Sequence, residues 1–173
     1  MIVGSFKENY KIEKRVSITP ETSKNLINLG LEVILEKNYA NHLGIPDKEY
    51  EKHKVKFLDN SSDIISQSNL LAQINYPNSE QSHHIKENKI LVGIFNPSQN
   101  QNILKEDIKK NIKIFSLELL PRISRAQSMD VLSSQSNLAG YRSVVESIYE
   151  FEKAVPMMMT AAGTVPAAKV LVI

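Results

Sequence analysis

Apolar and polar positions alternate along the chain in short blocks. Aliphatic runs at Ile2 to Ser5, Glu32 to Leu35, Leu70 to Ile74, Ile90 to Phe95 and Ile112 to Ser116 are each about the length of a buried strand. Polar, amphipathic stretches separate them, and such an alternation predicts an open, mainly parallel α/β sheet flanked by helices. The clearest helix is "TPETSKNLINLG". Thr19 is placed to cap it, Pro20 takes the first helical position, Leu26, Ile27 and Leu29 form its apolar face, and Gly30 stops it. Weaker helical patterns cover Pro46 to Lys54, Ser61 to Ser68 and Gln101 to Lys110.

From about Ser128 to Lys153 the pattern changes. Met129, Leu132, Leu138, Tyr141, Val145, Ile148 and Tyr149 recur at helical spacing with no proline and only Gly140 as a weak point, which predicts a much longer helix. This divides the chain into an α/β domain at 1–127, a bridging helix at 128–155, and a connection with one further strand at 156–173. That last strand, Val170 to Ile173, reads as buried in a parallel sheet, where it needs neighbours for its ladder hydrogen bonds. The expectation is therefore the first strand of a second, truncated domain.

Composition narrows the classes. With 173 residues, 42% apolar and 23% charged, the chain suits one ordinary globular domain rather than a disordered segment. No stretch approaches the ~20 consecutive apolar residues of a membrane span, and the N-terminus lacks the pattern of a secretory signal, so the reading is a soluble intracellular protein. The absence of cysteine excludes disulfides and thiolate metal sites. A net charge of +2, from 21 basic residues interspersed with 19 acidic ones, gives no basic stripe for nucleic acid. His83 and His84 are adjacent and make a poor chelate, so no metal site is expected. Met157, Met158 and Met159 read as gap-filling packing at a hinge. The G-x-S-x-G, H-E-x-x-H, P-loop and G-x-G-x-x-G patterns are all missing.

The most informative text is "PRISRAQSMDVLSSQSNLAGYR", which follows a predicted strand and opens the long helix. Arg122, Arg125, Gln127, Asp130 and Ser133 together offer a guanidinium fork, an amide and a carboxylate, a set suited to an amide and a ribose or phosphate. Loops at this place in an open α/β sheet often dock ligands. The residues alone also fit a plainer reading, a solvated loop with an N-capping Ser or Asp. Arg15, in "EKRVSITP", reads as a surface ion pair, with carboxylate binding as the minor alternative.

The stretches "ENYKIEKRVSITPET", "PRISRAQSMDVLSSQSNLAGYRSVVE" and "TAAGTVPAAKVLVI" resemble the N-terminal portion of the NAD(H)-binding alpha subunit of proton-translocating NAD(P) transhydrogenase. The resemblance runs the length of the chain and implies a Rossmann-like or flavodoxin-like N-terminal domain that stops where a nucleotide-binding Rossmann domain would begin. It implies hydride transfer from NADH to NADP⁺, the NADP(H) held on a partner component and the transfer coupled to proton movement through a membrane component. Arg122, Gln127, Asp130 and Ser133 would contact the nicotinamide, its ribose or the adjoining phosphate, while Ile123, Ser124, Ser128 and Met129 line the same loop. No residue of this chain is required as a catalytic acid or base. The resemblance also implies a homodimer of this component, on the cytoplasmic side of the inner membrane or free in the cytoplasm.

Alanine dehydrogenase shares this N-terminal domain and is the runner-up. That enzyme resembles the chain at Arg15 but uses a lysine and a histidine at positions aligned with Gln73 and Asn96. Lacking that second cation and that general acid/base, the chain is a poor candidate for amino-acid oxidation. A non-catalytic binding module is the remaining alternative.

Overall fold

Six short strands, β1 (Ile2–Ser5), β2 (Glu32–Glu36), β3 (Lys56–Leu58), β4 (Leu70–Ala72), β5 (Ile90–Gly93) and β6 (Lys113–Ser116), pair in parallel in the spatial order β3-β2-β1-β4-β5-β6. Between them run α1 (Pro20–Asn28), α2 (Asp47–Glu51), α3 (Ser61–Gln67), α4 (Ser79–His83) and α5 (Gln101–Lys109). The expected parallel α/β sheet flanked by helices is what the chain forms. The computed structural model describes residues 1–172 and, at Ile103, the backbone only. Two compact units divide the chain, the first Met1–Met129 and the second beginning at Asp130.

The core explains why β2 reads as a continuous apolar run. Val33 and Leu35 pack with Val3, Ile18, Tyr39 and Tyr50 on one face, whereas Ile34 packs with Ile64, Ile65, Leu71 and Leu91 on the other. Successive strand residues point to opposite faces, so a strand covered on both sides must be apolar at every position. Helices α1 and α2 supply the first face through Ile18, Leu26, Ile27 and Tyr50, and α3 supplies the second. Thr19 caps α1 as predicted, its hydroxyl accepting from the Thr22 N–H at 3.1 Å. Gly4 lets α3 approach β1, since a Cβ there would lie 1.9 Å from Ser68 Oγ and 2.8 Å from Ile64 Cγ2.

The pattern missed β3 and α4. β3 is only three residues long and half exposed, so it carries no periodicity. The helix α4 does carry a signal. Asn78 accepts from the Gln81 N–H at 2.9 Å while the Gln81 side chain accepts from the Asn78 N–H at 3.1 Å, a reciprocal capping box spelled N-S-E-Q. The sheet strands β4 and β5 are shorter than expected, though Gln73 N–H still donates to Val92 O at 3.0 Å and Ile94 N–H to Ile74 O at 2.8 Å beyond their ends.

The second unit holds α6 (Val131–Phe151) and an antiparallel hairpin of β7 (Met158–Thr160) and β8 (Gly163–Val165). The expected long helix thus spans 21 residues and stops at Glu152, which adopts a left-handed conformation with φ 52°. Two expectations are corrected here. Val170 to Val172 form no strand, because no described strand offers them a ladder, and all three are exposed; Ile173 lies outside the described residues. Met157 to Met159 fill no gap, being 64%, 44% and 83% exposed at the start of the hairpin.

A buried carboxylate on α5 gives the first unit a pH signature. Asp107 is 2% exposed, accepts a hydrogen bond from the Tyr76 hydroxyl, and faces Lys110 Nζ at 3.4 Å. Burial raises its pKa above the ordinary 3.8, and Lys110 opposes that shift only in part. The folded state therefore holds this proton more tightly than the unfolded state. The resulting stabilisation is complete below 3.8 and is lost as pH rises through the raised value. Asp107→Asn, which keeps an acceptor for Tyr76, is expected to flatten the decline. Urea midpoints measured from acid to neutral pH check this, and parallel curves for the two proteins would contradict it.

Candidate functional site

All six strands of the sheet point their C-terminal ends at one edge, and the chain reverses its strand order between β1 and β4. Such a switch point leaves a crevice. Here it is a polar hollow of about 550 Å³ bordered by Glu8, Glu13, Glu36, Asn75 and Tyr76. Its charges are neutralised from within. Lys7 pairs with Glu36 at 3.0 Å, and Glu8 accepts from the Ile74 and Asn75 backbone N–H groups at 2.8 and 3.1 Å. Arg15 grips Glu13 with both prongs, Nε to Oε1 at 2.8 Å and Nη2 to Oε2 at 2.7 Å. That guanidinium holds the Glu13 carboxyl below its usual range. The ion-pair reading of Arg15 is therefore the one found. Its partner, two positions away, has no signature in the sequence, because i, i+2 spacing carries no meaning outside a strand.

Gln73 lies beside this crevice and is 4% exposed. Its amide oxygen accepts from Phe6 N–H at 2.9 Å, and its amide nitrogen donates to Glu8 Oε1 at 3.1 Å and Phe6 O at 3.2 Å. A hydroxyl cluster lies next to it. Tyr39 Oη sits 2.7 Å from Ser5 Oγ and 2.9 Å from Ser17 Oγ, and Ser17 Oγ donates to Ala72 O at 2.8 Å. Burial pushes the Tyr39 phenol pKa up, so these groups act as neutral hydrogen-bonding partners. Asn96, at the end of β5, occupies a left-handed turn with φ 45°.

The candidate segment begins three strand spacings from β1, about 14 Å away along the sheet. After β6 the chain makes a 3-10 turn at Leu117–Leu119 and a second 3-10 stretch at Ser124–Met129. Ile123 N–H bonds Pro121 O at 2.9 Å, and Ala126 N–H bonds Ile123 O at 2.9 Å. Ala126, the smallest residue of "SRAQSM", is the one turned inward, at 5% exposure. Arg122, Ile123, Ser124, Arg125, Gln127, Ser128 and Met129 are all exposed. Arg122 and Gln127 have no side-chain hydrogen bond or ion pair among the described residues, so their donors face outward. Met129 instead borders an apolar hollow of about 620 Å³ with Leu104, Ile114 and Leu120.

In the second unit, Asp130 caps α6. Its Oδ1 accepts from Ser133 N–H at 2.9 Å, its Oδ2 from Ser133 Oγ at 2.6 Å, and its carbonyl from Ser134 Oγ at 3.0 Å. The plainer reading of Asp130, an N-cap, is thus correct. Capping does not preclude another role, since each carboxylate oxygen accepts more than one hydrogen bond.

Residues 4–139, from β1 through the opening of α6, match the family described as "Alanine dehydrogenase/PNT, N-terminal domain". The chain belongs to this family. Within it, the chain is 40% identical over 178 residues to the first of the separate chains that make up NAD(P) transhydrogenase subunit alpha in Rickettsia prowazekii (strain Madrid E), covering 100% of this chain and 46% of the relative. "The crystal structure of transhydrogenase from Sinorhizobium meliloti" matches with a TM-score of 0.90 and 39% identity, over 97% of this chain and 50% of that one. "Alanine dehydrogenase 1" of Staphylococcus aureus (strain Mu50 / ATCC 700699) is more distant, at 26% over 152 residues, covering 88% of this chain and 40% of that relative. The chain spans about half the length of the relatives it matches. Among the described residues no helix is long and apolar enough to cross a membrane.

Proposed function

We propose that this chain belongs to the NAD(H)-binding alpha component of a proton-translocating NAD(P) transhydrogenase. Its identity to a transhydrogenase subunit, 40% against 26% for an alanine dehydrogenase, is the observation that carries the reading. The chemistry of two positions agrees. Alanine dehydrogenase chemistry needs a cation and an imidazole at the positions of Gln73 and Asn96. This chain has instead a buried amide bonded to Phe6 and Glu8, and a turn asparagine.

The nucleotide would be held mainly by a second domain, with Arg122 to Met129 serving as a positioning segment. When bound, NADH supplies the hydride, and NADP⁺ on a partner component accepts it. Arg122 suits the charged or polar end of this task, because its fork is exposed and uncommitted within the described chain. Gln127 presents both a donor and an acceptor to a carboxamide. Asp130 and Ser133, at the start of α6, add a carboxylate and a hydroxyl. Ile123, Ser124, Ser128 and Met129 complete the lining and exclude water. None of these residues needs to move a proton, since transfer between two cofactors depends on alignment.

The remaining components are the membrane and NADP(H)-binding parts, with a dimer of this component at the cytoplasmic face of the membrane. The full-length protein, assembled with them, is expected to reduce NADP⁺ with NADH and to show no alanine-dependent reduction of NAD⁺. Amino-acid oxidation without nucleotide exchange would overturn the reading.

A further inference from the structure

We propose that Glu118 is a positioning residue that fixes where the Arg122–Met129 segment leaves the sheet. The proposal rests on the function just given for that segment. Glu118 lies in the 3-10 turn after β6, two residues past the strand and four before Arg122. Its Oε1 accepts the backbone N–H of Asn96 at 2.5 Å. One residue earlier, Phe95 N–H donates to Ser116 Oγ at 3.4 Å. Two side chains from the end of β6 thus take the two successive backbone donors that β5 leaves unpaired as it exits the sheet.

The receiving turn is itself rigid. Asn96 O accepts from Gln99 N–H at 2.9 Å and Asn100 N–H at 3.1 Å, and Asn100 Nδ2 donates to Phe95 O at 2.7 Å. Phe95 is 1% exposed and stacks edge-on against Tyr76 at 5.6 Å, so this turn is anchored in the core. The segment that follows Glu118 has no comparable anchor until Ala126. Between them the chain is held only by the short-range bonds of Leu120 to Leu117, Ile123 to Pro121 and Ala126 to Ile123. Glu118 and Ala126 are therefore the two fixed posts, and Arg122 sits on the span between them.

The choice of a carboxylate has a physical reason. A hydrogen bond to an ionised acceptor is about twice as strong as a neutral one. Glu118 Oε2 is buried without a hydrogen-bond partner among the described residues, so the link to Asn96 relies on a single oxygen. Glutamine presents an amide oxygen at the same reach and can keep that link, whereas alanine cannot.

The test compares Glu118→Ala and Glu118→Gln with the parent in the full-length protein, by site-resolved amide exchange and by NADH-to-NADP⁺ transfer in the assembled enzyme. Glu118→Ala is expected to speed exchange at Asn96, Ile123 and Ala126 by about ten-fold or more, with Val33 and Leu91 unchanged, and to lower transfer by about ten-fold. Glu118→Gln should restore both. Faster exchange at Asn96 alone would overturn the proposal, reducing Glu118 to a local turn clamp. Faster exchange at Ile123 and Ala126 with undiminished transfer would also overturn it, provided Arg122→Ala impairs transfer. If Arg122→Ala leaves transfer intact, the functional reading fails instead, and the exchange data alone decide whether Glu118 sets the segment.

Discussion

Arg122→Ala in the full-length protein is expected to lower hydride transfer by about 10- to 10²-fold while leaving the melting temperature within a degree or two. The side chain is exposed and has no hydrogen bond or ion pair among the described residues, so its removal costs the fold almost nothing. A hydrogen bond from a guanidinium to a cofactor is worth about 1.5–3 kcal/mol, and each 1.4 kcal/mol in the transition state is roughly ten-fold in rate. Asp130→Asn is the companion variant, because asparagine caps a helix as well as aspartate does and the substitution removes only the charge. Steady-state transfer together with thermal unfolding checks both. Unchanged transfer in Arg122→Ala would remove the segment from the mechanism.

Gly93→Ala is expected to destabilise the first unit by about 3 kcal/mol. A Cβ at this position in β5 would lie 2.3 Å from Gln73 O and 2.4 and 2.6 Å from the Phe95 ring. Neither neighbour can yield. The Gln73 carbonyl belongs to the backbone leaving β4, and the Phe95 ring is sealed in the core against Tyr76. The same crowding joins the two places where this chain departs from amino-acid dehydrogenase chemistry, Gln73 and the turn that carries Asn96. Gly140→Ala supplies the control. Nothing lies within 4 Å of a Cβ there, and in the interior of α6 alanine is favoured over glycine by about 1 kcal/mol. Denaturant unfolding should show opposite signs for the two, and a neutral Gly93→Ala would mean that β4 and β5 separate more easily than their ladder suggests.

Local physics explains which elements were legible in the chain. Val33, Ile34 and Leu35 announce a doubly covered strand because both faces must be apolar. Thr19, Pro20 and Gly30 announce a helix because caps act within four residues. Signals of that kind also set the parallel class, since strands joined through helices pair side by side. Asn78 and Gln81 announce α4 just as plainly, yet apolar periodicity does not register it, because a helix of five polar residues buries none of them. β3 could not be read at all. Its three residues become a strand only because β2 has a free edge beside them.

The candidate segment divides in the same way. Its residue types were visible as a set, and Asp130 as a cap, because both are properties of a few adjacent positions. That Ala126 turns inward, that Arg122 and Gln127 are left uncommitted, and that Glu118 reaches the Asn96 amide 22 positions earlier depend on β5 and β6 lying side by side. Arg15 and Glu13 make the converse case, a pair close in sequence whose two-pronged geometry only the folded loop reveals. Sequence by itself determined the sheet, its helices and the chemical inventory, because propensity, capping and periodicity are local. Tertiary structure alone decided which of those groups are neutralised, buried or offered outward, because that depends on distances between residues the chain keeps far apart.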